Sequence, residues 1–443
     1  MPPLALSRRS VVTVLAVAAL VALAPAKAPP PGPVLVSAAE GGGVADRDSF
    51  DGAVAPSGKF VVFTSGARDL GDGATGEESR NNVWFRDMKT GVNTLLSANG
   101  AGTEGNAGSL YPSISSNGQV VLFESYASDL ADGAEGGFCN VYLLDRKSGD
   151  LVRLSSTPAG AGGDWDSFVY GSSLSANGRF AVFYSAALDM VEDAGVGYFQ
   201  IYLYDRTKGT LTMISRSPEG APALGDCFDP SISSNGKYVV YYSYATNLGA
   251  GASGAVSNIY LHDVKKGTTT LITRSTTGGE PNDDSLDPVV SASGKIVAFD
   301  SYATNLVSGD TNGQSDVFLV DLKKGTKTRV SLGPAGVQGN GPSYSASLSS
   351  SGKVLLFTSD ASNLEGGDGD GNSSSDVFLR DPKTGLPRRL SLSAAGAEGD
   401  GDSYVVATSL ASSGKWALVV SGASNFATGD DNLDDDVFLF PVK

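Results

Sequence analysis

Short hydrophobic runs recur along the chain about every sixty residues, each just after a tight turn that ends in glycine. The runs are dense in β-branched and aromatic residues, as in Phe60–Phe63 and Val120–Phe123, which predicts strands buried on both faces. The turn glycines are 60, 60, 58, 58, 58 and 62 residues apart, at Gly58, Gly118, Gly178, Gly236, Gly294, Gly352 and Gly414. This regularity predicts one structural unit that occurs seven times.

Each unit contains four predicted strands. An apolar–polar stretch such as Tyr111–Ser115 precedes the glycine turn, and the hydrophobic run follows it. After a loop comes an alternating third strand such as Asn140–Asp145. An Asp-to-Gly turn such as Asp321–Gly325 then leads to a fourth strand, for example Lys327–Ser331. Four short strands per repeat are typical of a β-propeller blade, so we predict an all-β, seven-bladed propeller.

The two ends of the chain predict how the ring closes. The seventh repeat ends after its third strand, Val437–Phe440, so a fourth strand is missing there. Pro33–Gly41 matches the fourth-strand segment Arg329–Gly336. We therefore expect the N-terminal strand to complete the last blade, which removes the exposed sheet edges. Residues 33–443 then form a single propeller domain.

The first residues have the composition of a targeting signal. Arg8 and Arg9 precede an apolar stretch, Val11–Ala24, and small residues near Ala28 offer a cleavage site. This predicts a signal peptide over residues 1–28 and a Pro-rich lead-in over 29–32. Because the apolar stretch is too short and too Ala-rich to span a bilayer, we expect an exported protein, periplasmic or extracellular, with no stable membrane insertion after cleavage.

The repeats resemble those of TolB-type, WD-like propellers, particularly the exported bacterial variant. Gly309–Asp321 followed by Thr328–Ser331 carries the resemblance, which extends over essentially all of the mature chain. The chain differs from TolB itself in having seven repeats, a longer period and no separate N-terminal α/β domain. The resemblance implies a propeller fold and a location outside the cytoplasm, and it does not carry over TolB's own partners.

The charge of the chain narrows the classes of partner. Lys and Arg total 32 against 48 Asp and Glu, a formal net charge of −16. A nucleic-acid binder needs a basic surface to release counterions from phosphate, so nucleic acid is excluded as a partner, whereas divalent cations or positively charged partners suit this field. Cys139 and Cys227 fall in non-adjacent blades, so we expect two separate thiols, and we expect a monomer.

No motif specifies a catalytic reaction. The sequence contains neither a phosphate-binding loop nor a nucleophile elbow, and the one histidine, His262, lies within a third-strand pattern. These observations favour a non-catalytic binding or scaffold protein. The alternative is a carboxylate-dependent carbohydrate-active or other hydrolase, which in glycosidases requires two carboxyl groups about 5–9 Å apart.

The loops between second and third strands become acidic only in blades five to seven. Alternating Asp and Asn residues with glycine can direct several oxygens at one point, as Ca²⁺ requires. We therefore predict calcium binding in at least one loop, the alternative being solvated acidic loops held by Asx turns. The candidate ligands are Asp310, Asn312 and Asp316, then Asp368, Asp370, Asn372 and Asp376, then Asp430, Asn432, Asp434 and Asp436.

Acidic and aromatic residues also collect in the loops that lead from each fourth strand to the next first strand. Since strands alternate in direction, these loops and the second-to-third loops emerge on the same face. We predict a binding site for a ligand, or for a protein or carbohydrate partner, at this mouth of the central channel. Its candidate residues are Asp48, Asp51, Tyr111, Asp166, Asp229, Asp287, Tyr344 and Tyr404.

Overall fold

A computed structural model gives the fold of residues 32–73, 80–131, 137–195, 197–249, 251–365, 370–381 and 384–442. Within these ranges, twenty-eight strands form seven four-stranded antiparallel sheets, and one short 3₁₀ turn lies at Pro334–Gly336. The predicted signal peptide and most of the lead-in lie outside the described residues. Among the residues that are described, no helix is long and apolar enough to cross a membrane.

The first four blades have their strands in chain order from the innermost to the outermost. Blade 1 comprises β2 (Ser49–Val54), β3 (Phe60–Ser65), β4 (Asn82–Asp87) and β5 (Val92–Leu95). Blade 2 comprises β6 (Ser109–Ile114), β7 (Val120–Ser125), β8 (Asn140–Asp145) and β9 (Asp150–Arg153). Blade 3 comprises β10 (Ser167–Phe168), β11 (Phe180–Ser185), β12 (Gln200–Asp205) and β13 (Thr210–Met213). Blade 4 comprises β14 (Cys227–Ile232), β15 (Tyr238–Ser243), β16 (Asn258–Asp263) and β17 (Thr268–Leu271).

The last three blades include the one assembled from both ends of the chain. Blade 5 comprises β18 (Ser285–Val290), β19 (Ile296–Ser301), β20 (Asp316–Asp321) and β21 (Thr326–Arg329). Blade 6 comprises β22 (Ser343–Leu348), β23 (Leu355–Ser359), β24 (Asp376–Arg380) and β25 (Pro387–Arg389). Blade 7 comprises β26 (Ser403–Tyr404), β27 (Trp416–Ser421), β28 (Asp436–Pro441) and β1 (Val34–Leu35). The predicted fold class, a seven-bladed propeller, is confirmed.

The N-terminal strand closes the ring as predicted. Val34 pairs with Leu439 and Leu35 with Phe438, and the Val36 amide donates to the Val437 carbonyl at 2.7 Å. The strand itself is shorter than the matched segment, since regular pairing covers only two residues. Strand β28 is therefore paired on both sides, and β1 is the outer edge strand of the last blade.

The hydrophobic core lies between neighbouring blades. Each buried cluster draws residues from adjacent blades, as where Leu418 of blade 7 packs with Phe63 of blade 1. In blades 2 to 6 an aromatic ring of the second strand stacks on one of the third, with centroids 5.4–5.9 Å apart. Such pairs add about 0.5–1.5 kcal/mol each beyond their buried area. Repetition of this pair explains why the hydrophobic runs recur so evenly.

Two physical effects favour glycine at the repeated turn position. Gly236 has a φ of 70°, a conformation that favours glycine. A Cβ atom at Gly236 would also lie 2.5 Å from the ring of Phe180 in the preceding blade. The turn after each third strand has its own repeated residue: the Asp145 carboxylate, for example, accepts the amide of Lys147 at 2.9 Å. Both signatures of the repeat therefore maintain the scaffold.

Candidate functional site

A β-bulge recurs in the innermost strand of five blades. In blade 1 the register shifts between Phe50 and Ala53, and one residue of the bulge is left-handed. The equivalent residues and their φ angles are Asp51 (50°), Tyr111 (52°), Asp229 (49°), Asp287 (48°) and Ser345 (54°). Left-handed non-glycine residues cost about 1–3 kcal/mol and concentrate at functional sites, and bulges redirect side chains. Four of the predicted ligand-binding residues thus share one repeat position.

The innermost strands of blades 3 and 7 depart from this pattern. Ser167 and Gly178 are 11 positions apart, as are Ser403 and Gly414, against 9 for Ser49 and Gly58 in blade 1. The two longer segments meet across the channel: the Ser172 hydroxyl donates to the Ala407 carbonyl at 3.3 Å. In the same region the Ser347 hydroxyl donates to Ala407 at 2.8 Å. These segments block the channel, so a ligand at the mouth has access from one face.

The block separates two cavities. The one on the mouth side has a volume of about 20 Å³, and its lining includes Asp51, Tyr111 and Tyr170. The one beyond the block has a volume of about 80 Å³ and is lined largely by serine and aliphatic side chains of all seven blades. Only the mouth-side cavity includes a carboxylate in its lining, so the chemistry of the site lies there.

Two further carboxylates, Glu124 and Asp300, lie near the same place on second strands. Each is 3% exposed, and the Glu124 carboxylate accepts the Val169 amide at 2.8 Å. They share one repeat position, whose other occupants are uncharged: Thr64, Tyr184, Tyr242, Thr358 and Val420. We did not predict these residues from the sequence. The signal that could have identified them is a carboxylate within a hydrophobic run of the sequence.

Burial raises the pKa of every carboxyl group in this set. The pKa of Asp51 rises to about 7 and that of Glu124 to about 8. The pKa of Asp229 is raised well above its ordinary value by burial, by the negative charge of Asp287 and by a side-chain hydrogen bond with Asp287. Burial raises the pKa of Asp287 to about 6 and that of Asp300 well above its ordinary value.

The set lacks a compensating positive charge. Among the described residues, no Lys or Arg interacts with any of these five carboxyl groups. Asp51 Oδ2 and Asp300 Oδ1 are buried without a hydrogen-bond partner. The Tyr170 hydroxyl donates to Asp287, and its ring lies 6.2 Å from that of Tyr111. A buried unpaired carboxylate is costly, so the arrangement favours bound protons or a bound cation.

The other predicted residues of the mouth make contacts between neighbouring blades or within one blade. Asp48 accepts the Asp435 amide at 3.0 Å, and Asp166 accepts the Cys139 amide at 2.6 Å. The Tyr344 hydroxyl donates to Asp360 at 3.0 Å, and that of Tyr404 donates to Asp435 at 2.9 Å. The structure thus places Asp48 and Asp166 at joints between neighbouring blades, whereas Tyr344 and Tyr404 contact residues of their own blades. All four lie outside the bulge position.

In the acidic loop of blade 5 a positive charge is already present. The Arg329 guanidinium donates to Asp310 and to Asp316, both at 2.8 Å. The Asn312 amide donates to the Gly339 carbonyl at 3.2 Å, and its oxygen accepts the Gln314 amide at 3.4 Å. The hydrogen bond from the Gln314 amide to Asn312 forms an Asx turn, as expected if this loop is a solvated acidic loop and not a calcium site.

The acidic loop of blade 6 also contains an arginine. Arg389 pairs with Glu398 and lies 3.3 Å from Asp376. Oxygens of Asp370, Asp376 and Glu398 lie within 4.8 Å of one another. Asn372 donates to the Gly399 carbonyl, and the predicted ligand Asp368 lies outside the described residues. A cation bound to this cluster would therefore share it with the Arg389 guanidinium.

The acidic loop of blade 7 contacts the N-terminal segment. The Asn432 amide donates to the Ala45 carbonyl at 2.9 Å, and the Asp434 amide donates to Asn432 at 3.2 Å. Asp430 and Asp436 are buried. Among the described residues neither forms an ion pair with Lys or Arg.

Replacing Arg329 with methionine tests the role of arginine in these loops. The variant leaves Asp310 and Asp316 buried without a counter-charge, so we expect the free energy of unfolding to fall by about 3 kcal/mol. Urea denaturation measures the change. The triple variant D310N/D316N/R329M, which also removes both charges, should recover most of the loss. Unchanged stability in R329M would show that the pair contributes nothing.

No protein-family model matches the chain, and no curated protein matches it. Among solved structures, an oligogalacturonate lyase in complex with manganese is similar at 13% identity and a TM-score of 0.52, over 90% of both chains. A prolyl endopeptidase is similar at 13% identity and a TM-score of 0.54, over 89% of this chain and 50% of its own. TolB from Acinetobacter baumannii matches at 14% identity and a TM-score of 0.41, over 76% of this chain and 65% of its own.

The chain thus spans half of that endopeptidase and 65% of that TolB. At these identities the likenesses show the fold alone. Proteins with different activities share it, so the function has to be argued from the site. The chain is, in fold, a seven-bladed β-propeller of four-stranded blades.

Proposed function

We propose that the protein is a non-catalytic, exported binding propeller that receives a positively charged group at the acidic mouth of its blocked channel. The observation that carries this proposal is a set of five carboxyl groups, three buried and two half-buried, without a cationic partner among the described residues. Low-dielectric surroundings strengthen the attraction of such a set for a cation. The export part of the proposal is based on the N-terminal residues Arg8 to Ala28.

The size of the mouth-side cavity favours a small cationic group. A volume of about 20 Å³ holds one water-sized group, which fits an ammonium head and excludes a sugar ring. The rings of Tyr111 and Tyr170 flank the carboxylates, and aromatic faces attract cations. A Lys side chain of a protein partner supplies such a group at the end of a flexible stem.

A carboxylate-dependent hydrolase is the second candidate, because Asp229 and Asp287 form a hydrogen-bonded pair of carboxyl groups with raised pKa values, as acid–base pairs do. Their hydrogen bond, however, brings the two carboxyl groups closer than the about 5–9 Å that glycosidases use. It also leaves no space for a water molecule between them. These two points support binding over glycoside hydrolysis.

A calorimetric titration tests the proposal with a six-residue oligolysine peptide. We expect the double variant D51N/D229N to weaken binding at least tenfold, since hydrogen bonds to charged groups contribute about 1.5–3 kcal/mol each. Asparagine tolerates the left-handed backbone of these positions. The matched control D150N/E219Q removes the same formal charge at two exposed sites and should bind as the unmodified protein does.

Three further outcomes have defined meanings. Equal weakening by both double variants would reduce the effect to attraction by the overall charge, and would overturn the proposal. Binding of a six-unit glucan in place of the peptide would favour a carbohydrate partner. Hydrolysis of peptide or glucan that is lost in Asp287→Asn would favour the second candidate.

A further inference from the structure

The first residue of the third strand can be compared across all seven blades. It is an amide in blades 1 to 4 (Asn82, Asn140, Gln200, Asn258) and a carboxylate in blades 5 to 7 (Asp316, Asp376, Asp436). In every blade, a hydroxyl that follows the fourth strand donates to one oxygen of this residue. In blade 7 that hydroxyl belongs to Ser37. The seven copies therefore share this hydrogen bond. They differ in what contacts the other polar atom at the end of the same side chain.

Six of the seven blades satisfy that second atom. In blades 1 to 4 it is an NH₂ group that donates to an oxygen, as from Asn82 to Glu104 at 3.0 Å and from Gln200 to the Ala223 carbonyl at 3.1 Å. In blade 5 it is Oδ2 of Asp316, which accepts from Arg329 at 2.8 Å. In blade 6 the same atom of Asp376 lies 3.3 Å from Arg389. A carboxylate at this position is thus accompanied by a guanidinium.

Blade 7 has the carboxylate without the guanidinium. Leu35 pairs with Phe438, where Arg329 pairs with Phe318 in blade 5, so an aliphatic side chain replaces the arginine. Asp436 is 1% exposed, yet its Oδ2 has no hydrogen-bond partner. Asp430 corresponds to Asp310 and is also buried. Two buried carboxylates therefore lack the positive charge that their counterparts have.

We propose that blade 7 binds a calcium ion at the place that the guanidinium occupies in blades 5 and 6. The protein donors are Asp436 Oδ2, the Asp430 carboxylate and the Gly429 carbonyl, and water completes the shell. Gly429 corresponds to Gly309, whose carbonyl accepts Arg329 at 3.4 Å. An all-oxygen set of this kind suits a hard cation. This narrows the calcium prediction from three loops to one, and it is independent of the channel mouth.

The site lies at the joint that closes the ring. Ser37 bonds Asp436 at 2.5 Å, Asn432 bonds Ala45 at 2.9 Å, and the Asp435 amide donates to Asp48 at 3.0 Å. A cation held by Asp430 and Asp436 therefore stabilises the loop against which the N-terminal segment packs. The expected consequence is a ring whose closure strengthens in calcium.

Calorimetric titration with CaCl₂ alone tests the site at constant ionic strength. We expect one site per chain, with a dissociation constant on the order of 10⁻⁴–10⁻³ M, the range of extracellular modules. Because binding only to the folded state raises stability, we expect the melting temperature to rise by about 2 °C at tenfold excess. Mg²⁺ should substitute poorly, since it retains its waters.

Two variants at the site and one control make the test specific. Asp436→Asn introduces the residue found in blades 1, 2 and 4, so we expect a folded protein with at least tenfold weaker calcium binding. Leu35→Arg supplies the guanidinium of blades 5 and 6, and should abolish calcium binding while raising the melting temperature in chelator. Asp376→Asn in blade 6 should leave one site intact.

Two results would overturn the proposal. One is the absence of binding up to about 5 mM Ca²⁺, several times the expected constant, with the same melting curve in chelator. The other is a single site that survives Asp436→Asn and Leu35→Arg, which would place calcium elsewhere. Loss of that site in Asp376→Asn would assign it to blade 6.

Discussion

A chain that begins at Glu40 is expected to lose about 5 kcal/mol of unfolding free energy relative to one that begins at Pro33. The truncation removes the pairing of Val34 and Leu35 with the last blade and the fully buried Val36. Buried Val or Leu side chains contribute about 1.5–3 kcal/mol each. It also removes the Ser37 hydroxyl from Asp436, and losing the partner of a buried polar group costs about 1–3 kcal/mol.

Urea denaturation of the two chains measures the difference. The chain that begins at Pro33 is the matched control, because it retains the whole closing strand. Size-exclusion chromatography provides a second readout, since an exposed edge of β28 favours association. Coincident unfolding curves for the two chains would show that the N-terminal strand does not hold the ring closed.

Glu124→Gln is expected to raise the free energy of unfolding by about 4 kcal/mol at pH 8.5. Glu124 is 3% exposed, and burial raises its pKa from 4.5 to about 8. A carboxyl group with a raised pKa in the folded state stabilises the fold while it is protonated, and that contribution is lost as pH rises through the folded pKa. At pH 8.5 the folded protein therefore carries most of the cost of a buried charge, which glutamine lacks.

The raised pKa of Glu124 also makes the free energy of unfolding depend on pH. Between pH 8.5 and 6.5, protonation of Glu124 alone should add about 2 kcal/mol of stability, and Asp51, with a pKa of about 7, adds in the same direction. Below pH 6.5 the buried His262 opposes this trend, because burial lowers its pKa to about 4. Because Glu124 and Asp51 continue to add stability down to their ordinary pKa values and together outweigh this one group, we expect stability to keep rising as the pH falls from 6.5 towards 5.

The matched control is Glu219→Gln, which removes one exposed charge. It should leave the pH dependence between 8.5 and 6.5 unchanged, whereas Glu124→Gln should flatten it. Equal slopes in the two variants would mean that Glu124 is ionised at neutral pH in the folded protein, contrary to the proposed pocket.

The repeat made the scaffold predictable from the sequence. Residues equivalent to Gly236 and Asp145 recur along the chain because the same backbone geometry and the same packing recur. Position in the repeat was therefore enough to assign the blades. The bulge residues Asp51 and Asp229 were identified as candidate site residues because acidic and aromatic residues collect beside the axis. They were assigned to the loops before the first strands, whereas the structure places them within those strands. Their left-handed backbone, however, depends on the pairing register between strands.

The neighbours of the acidic loops were not predictable from the loops alone. Arg329 is 19 residues beyond Asp310 in the chain, and only the pairing of the fourth strand with the third brings the guanidinium to the loop. The block of the channel has a similar origin. Two extra residues around Tyr170 and Ala407 are visible as a longer interval, but where they fold depends on the ring.

Counting the protons released when the oligolysine peptide binds tests the central claim most directly. A bound cation lowers the pKa of nearby carboxyl groups, so groups that are protonated near pH 7 must release protons on binding. Titration at pH 7 in two buffers of different ionisation enthalpy should show release of about one proton per peptide, given the raised pKa values of Asp51 and Glu124. Glu124→Gln should reduce that number. A binding enthalpy that is the same in both buffers would contradict a protonated, cation-binding pocket at the channel mouth.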